Sequence, residues 1–230
     1  MFLVQKLKTL ITTALLGTPF LCPLLIPAGW AVGEAVSVTK EPPKIETKTF
    51  DHNSPGAEVP IKGREAATTH CSYDYFVDIG LENIASKRNF ETYAYTFKVT
   101  RLSVRLTLPI TFWLPDTVNK RLQEHEDGHR QIYEEIYGGA EKIAQRQAQE
   151  LLGETFIGVG KTLEEAQGDA KTKIGLELNR RYGREILSYA KLVSQLYDNA
   201  TRSGTNRTPV FLAIREAFLQ AWLLSLTKKH

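Results

Sequence analysis

The sequence predicts an α+β protein in which a small antiparallel sheet precedes a helical half. Between Tyr93 and Phe112 apolar residues recur at every second position, the period of a half-buried strand. From Leu122 onward they recur at intervals of three and four, the period of a helix with one face turned inward. A third observation marks where the chemistry sits. Leu122-Gln-Glu-His125-Glu126-Asp-Gly-His129 places two histidines four residues apart on that inward face, with a glutamate directly after the first.

Of the 230 residues, 42% are hydrophobic and 24% charged, enough apolar material for one core of ordinary size. Lys6 and Lys8 precede an uncharged run from Leu10 to Pro27, and Ala28-Gly29-Trp30-Ala31 follows with small residues. This is the layout of a secretory signal peptide over residues 1–31. Pro19, Pro23 and Pro27 make the run a poor spanning helix. The expected location is periplasmic or secreted, with membrane contact only transiently through the signal peptide. Two lysines leave with that segment, which takes the formal charge from +3 to +1. No basic excess remains for nucleic acid. Cys71 is then the only cysteine, which excludes an internal disulfide and a cysteine-based zinc site.

Residues 32–44, with Pro42-Pro43, read as a flexible lead-in, so a single metalloprotease-like domain is expected over residues 45–230. Ile45 to Phe50 suits a short strand, and Asp51-His-Asn-Ser-Pro-Gly56 a turn. Ala67 to Ile79 is rich in Thr, Tyr, Phe and Val and suits a strand, whereas Glu82 to Asn89 is polar and reads as a loop. In the clearest strand pattern, Tyr93, Tyr95, Phe97 and Val99 give way to Leu102, Val104, Leu106, Leu108, Ile110 and Phe112. The apolar phase moves from odd to even numbers, so a bulge or turn must lie near Thr100–Arg101, with two antiparallel strands joined there as the expected result. Asp116, after Leu114-Pro115, is the expected N-cap of the next helix. Its stripe is Val118, Leu122, His125, His129, Ile132 and Ile136, and Gly138-Gly139 should break it before a second helix from Ala140 to Leu152. Thr162-Leu-Glu-Glu165 has the form of a capping box opening a long helix that ends near Tyr197-Asp198-Asn199. Pro209 opens a last helix over Val210–Leu226. It is apolar nearly all round and is expected to be a packed core helix.

The pattern His125-Glu126-x-x-His129 is the signature of zincin-type zinc hydrolases. Residues four apart share a helix face, so both imidazoles can address one Zn2+. Glu126 is placed to act as the general base on an activated water. Gly128, inside the helix, implies close approach by another element. A catalytic zinc needs a third protein ligand, and Glu134, Glu135, Glu141, Glu164, Asp169, Glu177 and Asp198 are all possible by residue type. Asp198 is the chosen candidate, because a carboxylate at the end of the long helix opposes the helix dipole and calls for a compensating cation. Tyr197 could stabilise an oxyanion, and His70 is an outside ligand candidate.

His125-Glu-Asp-Gly-His129 on a helix, the preceding Leu114-Pro115, and the later Tyr197-Asp198-x-x-Thr201 resemble a bacterial family described as secreted zinc-dependent proteases and known chiefly as a domain of unknown function. The resemblance covers roughly residues 45–208. The family pattern pairs the central His-Glu-x-x-His with a later Tyr-Asp-x-x-Thr-x-His-Gly. Here Tyr197, Asp198, Thr201 and Gly204 match, and Ser203 stands where the family has His. The resemblance implies a zincin-like helical half and an exported zinc-dependent metallopeptidase that hydrolyses a peptide or protein substrate through a zinc-activated water. Two alternatives stand beside it: a non-catalytic envelope interaction protein on the same scaffold, and a zinc amidase acting on cell-wall peptides.

Overall fold

Alternation from Tyr93 to Thr107 folds as one strand rather than two. In the computed structural model, which describes residues 34–227 apart from 52, 54, 55, 57, 62–65, 90 and 91, strand β5 (Thr92–Thr107) runs unbroken beside antiparallel β4 (Asp74–Asn89). The signal segment expected over residues 1–31 lies outside the described residues. Gly80 pairs with Arg101 and Leu81 with Val99, so Thr100 is the extra residue of a β-bulge. The bulge returns the apolar set to one face without a turn. The loop expected over Glu82–Asn89 is instead the far half of β4, where the side chains of residues 82–88 are exposed.

Two more strands lie along the other edge of β5. One is β1 (Val36–Lys40), which pairs parallel with Leu102–Leu106. Within the expected lead-in over residues 32–44, Val36–Lys40 is thus a strand whose backbone hydrogen bonds are taken up by β5. The other is β7 (Thr155–Gly160), antiparallel to Tyr93–Lys98, which the sequence pattern did not reveal. Its Gly158 and Gly160 let the strand lie directly on the start of the long helix. A second sheet has the order β2-β6-β3. Here β2 (Lys44–Phe50) is parallel to β6 (Pro109–Pro115), and β3 (Thr68–Cys71) is antiparallel to it. Both sheets are thus mixed rather than purely antiparallel.

Helix α1 (Lys120–Gly138) begins three residues later than an N-cap at Asp116 would place it. Asn119 is the N-cap, its side-chain oxygen accepting from Leu122 N at 2.9 Å. Asp116 lies in the turn after β6. Gly139 ends α1 and opens α2 (Ala140–Leu151), as the glycine pair implied. Thr162 caps α3 (Leu163–Thr201), accepting from Glu165 N at 3.2 Å, while Glu165 accepts from Lys161 N at 2.7 Å. At 39 residues α3 is about 58 Å long and crosses the whole helical layer. Helix α4 (Val210–Thr227) packs on it.

The core lies between the inner faces of the sheets and the helices. Leu102 and Leu106 of β5, Ile110 of β6 and Leu108 between them share a core with Ile132 of α1 and Leu178, Ile186 and Val193 of α3, all nearly or wholly excluded from solvent. The described residues from Glu34 onward form one compact unit of α+β class. Helix α4 departs from expectation. Only Ala213, Ile214, Ala217 and Ala221 are buried, and most of its large apolar side chains face outward.

Candidate metal centre

The period that makes α1 amphipathic buries His125, Glu126 and His129 at 5%, 4% and 7% exposure. Their face meets α3. Gly128 makes the approach possible, since a Cβ there would run into the hydroxyl and ring of Tyr197. Tyr197 is fully buried and donates to the carbonyl of His125 at 3.1 Å. Its ring stacks on His125, with centroids 5.1 Å apart, and meets His129 edge-on at 5.0 Å. It is therefore a packing and orienting residue, and the oxyanion role considered for it does not fit its position.

One residue beyond Tyr197, Asp198 reaches both histidines. Its Oδ1 stands 3.3 Å from His125 Nε2 and 3.1 Å from His129 Nε2. Burial disfavours the Asp198 charge, but the hydrogen bonds and charges of the two histidines outweigh burial and hold its carboxyl well below the usual carboxylate range. The far side of each ring is also held. His125 Nδ1 lies 3.3 Å from Thr201 Oγ1, which donates its own proton to the Tyr197 carbonyl at 2.8 Å. The Thr201 oxygen can accept from Nδ1–H; with the proton there Nε2 would be free to ligate a metal ion, whereas with the proton on Nε2 the ring donates to Asp198. His129 Nδ1 is 2.9 Å from Ser194 Oγ. Outer partners of this kind select the tautomer in metal sites.

A cation suits this donor set. The two imidazoles meet edge to face with ring centroids 4.9 Å apart. A single metal ion would satisfy all three groups, whose ligand atoms lie within 4.8 Å of one another. This buried His-His-Asp group could hold a metal ion.

Glu126, beside that cluster, is anchored to the sheet. Its carboxylate accepts from the hydroxyl of Thr69, on β3, at 2.7 Å, and the same hydroxyl lies 3.0 Å from the Glu126 carbonyl. Burial raises the carboxyl above its ordinary pKa, against the pull of His129, Thr69 and His125. His125, Glu126, His129 and Asp198 all line one open cavity of about 1000 Å³, together with Thr69, Tyr133, Ser194 and Ser203.

The turn after α3 closes one side of it. Arg202, Ser203 and Gly204 are all left-handed, with φ of 48°, 51° and 77°. Two successive non-glycine residues in that region store strain. The turn is held by Ser203 N donating to Asp198 O at 2.8 Å and Asn206 N donating to Thr201 O at 3.1 Å. It presses Gly204 onto His125, where a Cβ would stand 2.8 Å from the ring carbon Cγ.

Of the ligand candidates, the structure brings together His125, His129 and Asp198. Glu134 pairs with Arg130, Asp169 with Lys173, and Glu177 with Arg180 and Arg181. His70 is exposed on β3 and outside the cluster. The orienting hydroxyls of Ser194 and Thr69 escaped the sequence reading. Ser194, Asp198 and Thr201 recur at four and three along α3, so that spacing carried a usable signal for Ser194, while none existed for Thr69. No protein-family model, curated protein or solved structure matches this chain. The fold and site thus define an α+β protein with a candidate two-histidine, one-aspartate metal centre.

Proposed function

We propose that this protein is an exported zinc-dependent metallopeptidase with a zincin-like helical half. The carrying observation is that His125, His129 and Asp198 converge on one point with Glu126 beside them on the wall of one cavity. Tetrahedral zinc with Zn–N bonds of 2.0–2.1 Å sets neighbouring ligand atoms about 3.3 Å apart. The distances from Asp198 Oδ1 to the two Nε2 atoms, 3.1 and 3.3 Å, fit that spacing. Zinc held there would act as a Lewis acid and make a water acidic near neutral pH.

The chain's own groups supply the rest. Glu126, with its raised pKa, takes a proton from the attacking water and passes it to the leaving amine. Thr69 holds the carboxylate in line. Tyr133 on the cavity wall is kept protonated by burial and offers a neutral hydrogen-bond donor to a developing oxyanion. Among the described residues β3 pairs only with β6, so its other edge is open beside the cavity for an extended peptide to add as a strand. Export follows from the expected signal segment.

Elemental analysis of the purified protein tests the metal, with about one zinc per chain expected. Iron in its place, or no metal and no rise in melting temperature on adding zinc, removes the proposal. Cleavage of a mixed peptide library tests the reaction. Activity only on peptidoglycan fragments would instead support the amidase reading.

A further inference from the structure

Helix α4 buries one narrow stripe and exposes the rest. Ala213, Ile214, Ala217 and Ala221 pack on the α3 side, and Phe218 meets Tyr189 with ring centroids 6.3 Å apart. Opposite them, Phe211, Leu212, Leu219, Trp222, Leu223 and Leu226 are each 44–61% exposed. Over 18 residues the mean hydropathy is 1.4, yet only 22% of the stretch is buried. So large an apolar face in water marks a surface that something covers.

Charge decides between occupants. From residue 207 to residue 229 the sequence carries Arg207, Arg215, Lys228 and Lys229 against one acid, Glu216. A hundred degrees per residue puts Arg215 within the outward face, between Phe211 and Leu219. A second copy of this helix would bury two like charges in a dry seam. A bilayer surface does not, because arginine can extend its guanidinium to the phosphates while its stem stays among apolar neighbours. Trp222 suits the interfacial level, and the two lysines after the helix suit anionic headgroups. We infer that α4 is a membrane-surface anchor that lies in the headgroup region of an anionic bilayer, outward face down. It lies on the membrane rather than spanning it, since its alanine stripe stays packed on α3. This inference is independent of the metal.

The test uses the full chain with Trp30→Phe and Trp113→Phe, which leaves Trp222 as the only tryptophan. Its emission reports α4 itself, whatever residues 1–31 do. With phosphatidylglycerol vesicles carrying a shallow nitroxide quencher, Trp222 should shift to the blue and be quenched, and far less so with phosphatidylcholine. Leu219→Gln with Leu223→Gln should abolish the shift while the melting temperature holds, since both side chains are exposed. Lys228→Gln with Lys229→Gln should weaken partition about 25-fold at low salt. The inference is overturned by an unshifted Trp222 on phosphatidylglycerol or by equal partition to both lipids. A lipid-free blue shift that grows with protein concentration also overturns it, because a second copy would then be the cover.

Discussion

Glu126 and its neighbours in the cavity separate binding from chemistry. Glu126→Gln keeps the shape and the Thr69 contact but removes the base. It should leave bound metal unchanged and lower kcat by roughly 10²–10⁴, as read by metal content alongside peptide turnover. Thr201→Val and Ser194→Ala remove the hydroxyls that hold the far sides of the rings and leave the ligand atoms themselves in place. Each should weaken metal affinity by roughly 10–100-fold, measured by competition with a chromophoric chelator. Gly128→Ala pushes a methyl into Tyr197, so α3 must move from α1. About 1–3 kcal/mol of stability should go, and metal affinity with it, because Asp198 rides on the displaced helix. Chemical denaturation with and without metal reads both effects.

Helix α3 has its own pH dependence, away from the metal centre. Glu177 accepts from Arg180 and Arg181, and Arg181 also reaches Glu154. The bonds from Arg180 and then Arg181 lower the Glu177 carboxyl from 4.5 to about 2. A carboxyl depressed on folding adds stability that is fully present above pH 4.5 and is lost as the pH falls towards 2. Acid unfolding of the wild type should therefore steepen over that window, and Glu177→Gln should flatten it. A shallow curve in both proteins would show that the solvated pair contributes nothing measurable. At the other end of the scaffold, Asn119→Ala removes the α1 cap and should cost about 1 kcal/mol. The sequence pointed to Asp116 because it follows Leu114-Pro115. The structure uses Asn119 because β6 must finish and turn before its side chain can meet the free N–H groups.

For the whole molecule, a metal joining α1 to α3 links elements 69 residues apart in sequence. Binding to the folded state alone should stabilise it by about 2.7 kcal/mol at a hundredfold excess over Kd. Calorimetry of metal-free and zinc-loaded protein should show the rise, and Asp198→Asn should reduce it. The core beneath is ordinary. Ile132→Ala, at a fully buried position, should cost about 2–5 kcal/mol by opening a cavity. A much smaller loss would mean that α1 is held mainly through the metal site.

What the sequence by itself determined was local and periodic. The three-and-four spacing carried His125, Glu126 and His129 to the inner face of α1, Gly138-Gly139 broke the helix, and the phase change near Thr100 demanded a bulge or a turn, between which only the pairing with β4 decided. The antiparallel sheet, the lead-in over 32–44 and the packed last helix were read from composition and alternation, which are silent on which strand lies beside which. The tertiary structure decided that β1 and β2 run parallel to β5 and β6, that β7 closes the sheet, and that α4 keeps an apolar face in water. It also brought Asp198, the acid the sequence had favoured on the helix-dipole argument, against both histidines, and gave Thr69 and Ser194 their roles. Those choices rest on contacts between residues about 60 or more apart in the chain. They depend on where Gly128 lets α3 approach α1 and where the left-handed turn after Thr201 sets Gly204 on His125. Neither follows from the period of any single element.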